Sequence, residues 1–523
     1  MAASGGKRLT IYEKVKKTIK HTLIFGLGSV ANRAAGLVLV VLYARHLKTN
    51  QFGVLSLLTV TLTLVTIVLN FGLNHAFFRH YCETEDEDRR KRIVGTTLLF
   101  LLASSAALTA LLCLIAPQVS SVVFAGESAR ADLLRLVFIT AFFEVLTVIP
   151  DSILRAKFKS ATYSVLNVTA FVVQIAVISI LVLREPSVES VLIGRLVGTA
   201  FEALIFFIVV RRDLTLRFSA SELTGMLAFG TPLIFGQISM QLFMMIDRFF
   251  LQRYSTEREL GYYAMGNTLV SVVTMLVTVP FSQVWTVMRF SVMNEEGAEM
   301  YYSRVLTYIA LVSMFLALGV AAVAGDGLLL FGTRGYWPAA GLIPLLALSA
   351  VLDSASRVLN VGTTLKKRTI FAPVVIVAAL AVNVALNFLL IPSYGALGAT
   401  LSTLLSFGIF CVLRYWASNL FFKVHYEWGR VFSIGAVGSA LIGLFYAADY
   451  IRGDLGRYSV ENPARKITLY LSILIKVILT LSFPALLLLL RFYTENERRR
   501  VGDAIRRVYS ELRGRPLNEA VGD

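Results

Sequence analysis

Ten charged side chains lie inside stretches that are otherwise apolar, and they are the residues of this sequence best suited to chemistry. A charged residue at the centre of a membrane helix costs roughly 2.5 to 3.5 kcal/mol on insertion scales, so each one requires a ligand or an ion-pair partner. Basic residues outnumber acidic ones, which argues against a cationic ligand. The ten residues are Arg33, Glu144, Arg195, Glu202, Asp247, Arg248, Asp353, Arg357, Arg414 and Lys476.

Arg33 lies near the middle of the first apolar stretch, too deep for its side chain to reach the membrane surface easily. Asn32 and Gly36 contribute to a small polar stripe beside it. In a cavity, its guanidinium could bind an anion through two parallel hydrogen bonds. Alternatively, Arg33 forms an interhelical ion pair with Glu144 or Glu202 that fixes helix packing. The sequence leaves both interpretations open.

The other deep charges allow the same two interpretations. Arg195 lies seven residues before Glu202, on one face of a helix, and Asp353 has an arginine four residues later, a spacing that favours a local pair. Arg248 follows Asp247 within about two turns of a helix end, where a local salt bridge competes with ligand contact. The candidate binding residues are Arg33, Asn32, Arg195, Arg248, Asp247 and Gln241, and the candidate pairing or coupling acids are Glu144, Glu202 and Asp353.

The sequence contains no recognisable catalytic or metal-binding pattern. Its cysteines, Cys82, Cys113 and Cys411, are far apart, and its five histidines are equally scattered. It has no Walker-type phosphate loop, so we do not expect this chain to hydrolyse ATP. We therefore predict no catalytic residues, no metal and no cofactor.

The elements that position the deep charges are membrane helices. Of the 523 residues, 56% are hydrophobic and 16% are charged, whereas a soluble domain has roughly 25% charged residues. Long apolar stretches recur along the whole chain, which predicts an all-α polytopic membrane protein. The predicted spans number fourteen, at 22–46, 52–75, 93–116, 132–154, 161–183, 188–210, 224–252, 261–288, 303–325, 337–361, 369–391, 396–421, 430–449 and 467–491.

Lysine and arginine are distributed unequally between the two sets of connections. With the N-terminus inside, 33 of them fall in cytoplasmic segments and 12 on the opposite side. The positive-inside rule therefore predicts cytoplasmic N- and C-termini. The net charge of +17 is then mainly a topology signal. Its expected partner is anionic membrane lipid, and nucleic acid is excluded.

The sequence predicts an internal repeat whose two halves are only weakly similar. The hairpin of the first two spans resembles that of the seventh and eighth, and aligning Gly53 with Gly261 also aligns Arg45 with Arg253. Two six-helix lobes around a central cavity are the architecture of a rocking transporter. The predicted divisions are an N-terminal tail with a short amphipathic helix (1–21), an N-lobe (22–210), a cytoplasmic linker (211–223), a C-lobe (224–421), helices 13 and 14 (430–491) and a basic cytoplasmic tail (492–523).

Three stretches resemble the polysaccharide-transport branch of the multidrug/oligosaccharidyl-lipid/polysaccharide exporter superfamily. They are "ARHLKTNQFGVLSLLTV", "MMIDRFFLQRYSTERELGYYAMGNTL" and "IPSYGALGATLSTLLSF". The resemblance implies a V-shaped pair of six-helix lobes in the inner membrane. It also implies a flippase whose cargo is an undecaprenyl-pyrophosphate-linked oligosaccharide, moved from the cytoplasmic to the outer leaflet. A deep arginine such as Arg33 would then bind the pyrophosphate.

Other functions remain open from the sequence. A flippase for a lipid-linked peptidoglycan precursor and a drug/cation antiporter belong to the same superfamily, although the antiporters usually have twelve helices and buried acids. A membrane-embedded glycosyltransferase or polymerase would need an outer catalytic loop or an acidic metal motif, and we find neither. For a flippase, the expected protein partners are a polysaccharide polymerase and glycosyltransferases.

Overall fold

The computed structural model describes residues 39–157, 159–331, 333–366, 368, 370–451, 463–490, 492–495, 497 and 499. These residues are helical almost throughout and include no β-strand. Twelve of their helices are long and apolar enough to cross a membrane. The protein is therefore an all-α, multi-pass membrane protein, which confirms the predicted fold class.

The first half of the chain contains eight helices after the helical residues 39–46. Their starts follow ordinary capping chemistry: the Asp86 carboxylate accepts a hydrogen bond from the Asp88 amide at 2.9 Å, and the Ser187 hydroxyl accepts one from the Ser190 amide at 3.1 Å. The helices are α1 (Thr49–Leu69), α2 (Leu73–Glu83), α3 (Glu87–Leu114), α4 (Ala116–Val123), α5 (Ala131–Leu146), α6 (Val148–Ala156), α7 (Ser160–Arg184) and α8 (Val188–Val210).

The second half repeats this organisation with more interrupted helices. A break at Ile246 separates two helices within the predicted seventh span, and a π-helical segment, Thr274–Thr278, interrupts the eighth. The helices are α9 (Ala220–Met245), α10 (Asp247–Tyr254), α11 (Glu257–Val273), α12 (Val279–Ser291), α13 (Ala298–Phe331), α14 (Ile343–Leu359), α15 (Val361–Leu365) and α16 (Phe371–Asn419).

Helix α16 comprises two arms that meet at Gly395, whose φ of 53° lies in the left-handed region open to glycine. Across the hairpin, Asn383 Nδ2 donates to Ser406 Oγ at 3.0 Å, so the arms pack against each other. The Glu259 carboxylate accepts the Ala396 amide proton at 2.8 Å and so caps the second arm. The two arms correspond to the predicted spans 369–391 and 396–421.

Two further helices, α17 (Trp428–Ile451) and α18 (Pro463–Leu489), pack against α13. A buried ion pair attaches α18: Lys476 Nζ lies 2.9 Å from Asp326 Oδ2, and each side chain is only 3% exposed. Beyond α18, the Glu497 carboxylate binds Arg430 at 2.9 Å. Although burial opposes ionisation, hydrogen bonds from Tyr308, Thr494 and Arg430 lower the pKa of Glu497 to about 2, so the carboxylate is charged at neutral pH.

The two halves contact each other at both ends of the bundle. We call the end predicted to face the cytoplasm the inner end, and the opposite one the outer end. At the outer end α1 packs on α11, where a Cβ on Gly261 would overlap the Thr49 backbone. At the inner end α9 packs on α2, where Gly230 lies against Gly72. Close backbone approach at small residues is how membrane helices associate tightly.

Helices of the structure correspond to the predicted spans from the second to the fourteenth. The first span, 22–46, lies outside the described residues except for 39–46, so the count of fourteen stays a prediction. The predicted amphipathic helix in 1–21 and most of the basic tail 492–523 also lie outside them. The domain boundaries and the cytoplasmic location of the termini remain predictions.

Candidate functional site

A cavity of about 570 Å³ lies within the second half of the chain. This volume is typical of ligand pockets, which range from roughly 300 to 1,000 Å³. Helices α9, α10, α11, α14 and α16 and the π-helical segment form its walls, and Val40 reaches it from residues 39–46. Its polar lining consists of Arg248, Asn267, Thr268, Ser271, Thr274, Ser349, Asp353 and Thr403.

Arg248 is the cation of this cavity, and its head group is largely unpartnered. Its Nε and Nη1 atoms are buried and have no hydrogen-bond partner among the residues that the structure describes. Buried donors are normally satisfied, because an unsatisfied one costs about 1 to 3 kcal/mol and a charged one costs more. The arrangement is therefore suited to an anion that accepts hydrogen bonds from the guanidinium.

The carboxylate next to Arg248 in sequence is committed to other partners. Asp247 is 3% exposed, and its Oδ1 accepts the Arg248 backbone N–H at 3.0 Å. Its Oδ2 accepts the Thr403 hydroxyl at 3.4 Å, and that hydroxyl also lies 3.0 Å from Tyr263 Oη. Asp247 therefore braces the break between α9 and α10 against α16.

The acid in the cavity wall, Asp353, is also paired. Both of its oxygens accept hydrogen bonds from Arg357 Nη2, at 3.1 and 3.3 Å. This is the local i, i+4 pair that the spacing favours. Asn267 Nδ2 is buried without a partner among the described residues. Arg248 and Asn267 are thus two uncommitted donors on the wall of one cavity.

A second polar cluster lies in the first half and does not line this cavity. Glu144 Oε2 accepts the Thr66 hydroxyl at 2.9 Å, and Glu144 Oε1 lies 3.1 Å from Arg195 Nη2. Glu202, half-buried on the same helix as Arg195, has no hydrogen bond or ion pair within the described part of the chain. The pair that the structure forms is therefore between Glu144 and Arg195.

Four predicted residues lie away from this cavity or outside the described part of the chain. Arg33 and Asn32 lie outside the described residues. Gln241 lies on α9, its Nε2 is 2.6 Å from Met245 Sδ, and it does not line the cavity. Arg414 donates to the Ser356 carbonyl at 2.9 Å and lies over the Phe410 ring, 4.1 Å from its centroid. Neither Gln241 nor Arg414 contributes to the group around Arg248.

Sequence reasoning did not identify Thr403 and Ser349, which line the cavity. Both occur in apolar helices rich in serine and threonine, so composition does not distinguish them from hydroxyls that bond within their own helix. A cavity with uncommitted cationic and amide donors between membrane helices can hold an anionic group. The surrounding hydroxyls can donate hydrogen bonds to the same group.

Comparisons with known proteins agree with this architecture. A family model described as polysaccharide biosynthesis protein matches residues 42–340, more than half of the chain. A comparison with curated proteins finds no match.

The fold is shared with solved transporters of low sequence identity. A lipid II flippase, MurJ, in an inward closed conformation is 15% identical, with a TM-score of 0.71 over 89% of this chain and 98% of that one. An inward-facing multidrug resistance MATE family transporter of the MOP superfamily is 12% identical, with a TM-score of 0.64 over 79% and 96%. An outward-facing transporter of the same description has a TM-score of 0.52, 14% identity and the same coverage.

Proposed function

Since the chain belongs to the polysaccharide biosynthesis protein family, we propose that it is a flippase for a lipid-linked oligosaccharide. The proposed cargo is an undecaprenyl-pyrophosphate-linked sugar unit, moved from the cytoplasmic to the outer leaflet of the inner membrane for surface polysaccharide assembly. In this proposal both termini are cytoplasmic. A polysaccharide polymerase and glycosyltransferases are the proposed partners, because they consume and produce the cargo.

The observation that carries the proposal is the unpartnered guanidinium of Arg248 in the central cavity. A pyrophosphate crossing the membrane must exchange its hydration for other hydrogen-bond donors, since ions are poorly solvated in a low-dielectric medium. Arginine binds phosphate oxygens with two parallel hydrogen bonds. Arg248 and the Asn267 amide can replace water around the pyrophosphate, while the prenyl chain remains in the surrounding lipid.

Alternating access is supported by the contacts between the halves. The outer and inner contacts join the halves at opposite ends of the bundle, so separating one while keeping the other opens the space between the halves to one side only. The break at Ile246 and the π-helical segment Thr274–Thr278 flank the cavity. Such interruptions are common hinge positions in helices.

The cargo alternatives differ in what they require of this cavity. A lipid-linked peptidoglycan precursor also carries a pyrophosphate, so Arg248 suits it equally well. A cationic drug would meet the charge of Arg248, while Asp247 and Asp353 are already bonded to other groups. The cavity therefore favours an anionic cargo, and the choice between the two lipid-linked substrates has to come from transport experiments.

The test is a flipping assay with purified protein in liposomes. Fluorescent undecaprenyl-pyrophosphate oligosaccharide and the lipid-linked peptidoglycan precursor are supplied separately, without nucleotide, and the label in the outer leaflet is quenched with an impermeant reagent. We expect the oligosaccharide to exchange leaflets faster than in protein-free liposomes, and faster than the precursor. Transport of the precursor alone would reassign the cargo, and transport of neither would contradict a flippase function.

A further inference from the structure

A second cavity, of about 390 Å³, lies at the outer end of the bundle where the two halves meet. One wall comes from the first half, through residues 45–50, which connect the helical residues 39–46 to the start of α1. The other comes from the second half, through Arg258 in the first turn of α11 and through Thr333 and Gly335. The cavity is therefore shared between the halves. It is separate from the one that contains Arg248.

The shared cavity is strongly cationic. Arg45, Lys48 and Arg258 line it together with His46, and no lining residue carries a carboxylate. Within the described part of the chain, none of the three permanent cations forms an ion pair. This grouping is unexpected on the outer side, to which the positive-inside count assigns only 12 of the 50 lysines and arginines.

The acids nearest in sequence are held by other groups. Glu257 forms an ion pair with Arg130. Glu259 accepts hydrogen bonds from Ser255 Oγ and the Ala396 amide, both at 2.8 Å. The first turn of α11 therefore brings Arg258 to the shared cavity without a compensating carboxylate.

Contact between the halves is what gathers these cations. Lys48 immediately precedes α1, and the backbone of Thr49 lies against Gly261 on α11. All three side chains are exposed to solvent, so their mutual repulsion is screened but not abolished. A multivalent anion would offset the repulsion, and it would bind best when both walls are present.

We propose that the shared cavity binds a phosphate group that bridges Arg45 and Lys48 of the first half and Arg258 of the second. An anion that binds the closed outer end more tightly than the open one shifts the equilibrium toward closure by its differential affinity. The phosphate belongs either to an anionic lipid headgroup of the outer leaflet or to a free phosphate species. The site does not depend on the identity of the transported cargo.

The test begins with binding of inorganic phosphate to purified protein in nanodiscs of zwitterionic lipid, measured by calorimetry. Charge-assisted hydrogen bonds contribute enough that Lys48→Gln and Arg258→Gln should each weaken binding roughly tenfold or more. The matched control is Arg184→Gln, which removes an exposed outer arginine that does not line the cavity. It should leave phosphate affinity unchanged.

Bridging is measured by the distance between spin labels at Glu189 and Arg253, one exposed residue at the outer end of each half, in a background without native cysteines. Phosphate should shift the distribution toward the short distance, and the shift should be lost in Arg258→Gln. In nanodiscs with phosphatidylglycerol, a lipid-occupied site gives the short distance without added phosphate. If the site instead binds free phosphate, added phosphate still shifts the distribution toward the short distance in these nanodiscs.

Three outcomes overturn the proposal. The first is that phosphate does not bind and phosphatidylglycerol does not change the distance between the labels. The second is equal weakening by Arg184→Gln, which would indicate diffuse surface charge. The third is binding that does not alter the distance distribution, since a phosphate on one wall does not bridge the halves. None of these readouts uses cargo transport, so the result is independent of the flippase proposal.

Discussion

Arg248 and Arg195 are both deep arginines of the same charge, but the structure gives them opposite surroundings. The Arg195 guanidinium is paired with Glu144 at 3.1 Å. The Arg248 head group has two buried nitrogen atoms without partners in the described residues. A paired cation mainly stabilises the fold, whereas an unpartnered one is available to a ligand. The two residues should therefore respond differently to the same substitution.

Arg248→Gln should abolish most transport without destabilising the protein. It removes a buried charge that forms no ion pair in the described residues, but it also removes the positive charge beside the buried Asp247, so the midpoint of thermal unfolding should change little. Loss of a charged hydrogen-bond donor of about 1.5 to 3 kcal/mol corresponds to a roughly 10- to 100-fold lower flipping rate. Arg248→Lys keeps the charge but loses the two parallel hydrogen bonds of a guanidinium, so its flipping rate should lie between those of the natural protein and Arg248→Gln. Undiminished transport by Arg248→Gln would rule out its role in cargo binding.

Arg195→Gln provides the matched contrast. Among the described residues it leaves Glu144, whose side chain is 26% exposed, with only the Thr66 hydroxyl bonded to it, and a partly buried charge that loses its ion-pair partner is destabilising. We expect a lower unfolding midpoint, restored when Glu144→Gln is added. Thermal unfolding of the three variants in one detergent measures this coupling.

At this scale the sequence predicted the local pair of Asp353 with Arg357, which the structure contains, but it did not predict the pair of Glu144 with Arg195. Burial cost alone singles out Glu144, Arg195, Arg248 and Asp353, because an apolar helix makes any charge conspicuous. The partner of Glu144 is 51 positions away in sequence, a separation at which no periodicity applies. The alternatives suggested for Glu144 and Glu202 both involved Arg33, which lies outside the described residues, so its role remains a prediction.

At the scale of elements, α1 and α11 form the outer contact between the halves through glycines. A Cβ on Gly261 would overlap the Thr49 carbonyl and lie 2.7 Å from Thr49 Cγ2, and a Cβ on Gly53 would lie 2.9 Å from the Gly261 amide nitrogen. The obstruction is backbone, so it cannot be relieved by a rotamer change. The repeat alignment paired Gly53 with Gly261 without revealing that the two residues touch.

Gly261→Ala should push α1 and α11 apart and open the outer end. Overpacking of this kind typically costs about 1 to 3 kcal/mol, enough to shift the population toward longer distances between labels on the two halves. The control is Gly236→Ala on α9, where an added Cβ meets nothing within 4 Å. Alanine is the better helix former by roughly 1 kcal/mol, so the control should match or exceed the natural protein in stability. An unchanged distance distribution in Gly261→Ala would contradict a closing role for this contact.

At the scale of the whole molecule, hydropathy predicted the span positions well, because a membrane allows few alternatives to apolar helices. It was less successful where helices exceed the thickness of the bilayer. Helix α13 extends to Phe331, beyond the predicted end of its span at residue 325. Asp326 was therefore not recognised as a deep charge, and Lys476 had no visible partner. Cavities are also invisible to hydropathy, since they depend on how several helices pack.

The ion pair between Lys476 and Asp326 should couple α18 to the second half. Lys476→Met alone leaves a buried carboxylate without its ammonium group and should destabilise the protein by roughly 3 to 5 kcal/mol. Asp326→Leu alone should do the same. The double variant should recover most of that loss, because two apolar side chains suit this buried position. Folded yield and the midpoint of unfolding are measured for the natural protein, the two single variants and the double variant. If the losses of stability in the two single variants add up in the double variant, the two charges act independently.

The same ion pair has a consequence for biogenesis. Asp326 leaves the ribosome 150 residues before Lys476, so its helix reaches the translocon with a carboxylate whose partner has not yet been synthesised. Single charges of this kind oppose release into lipid by roughly 2.5 to 3.5 kcal/mol. Helix α13 is therefore expected to stay beside the insertion machinery, or to remain loosely integrated, until α18 emerges with its lysine. Helix α18 would then release a helix made much earlier, and nascent chains truncated before Lys476 would be the ones recognised by membrane quality control.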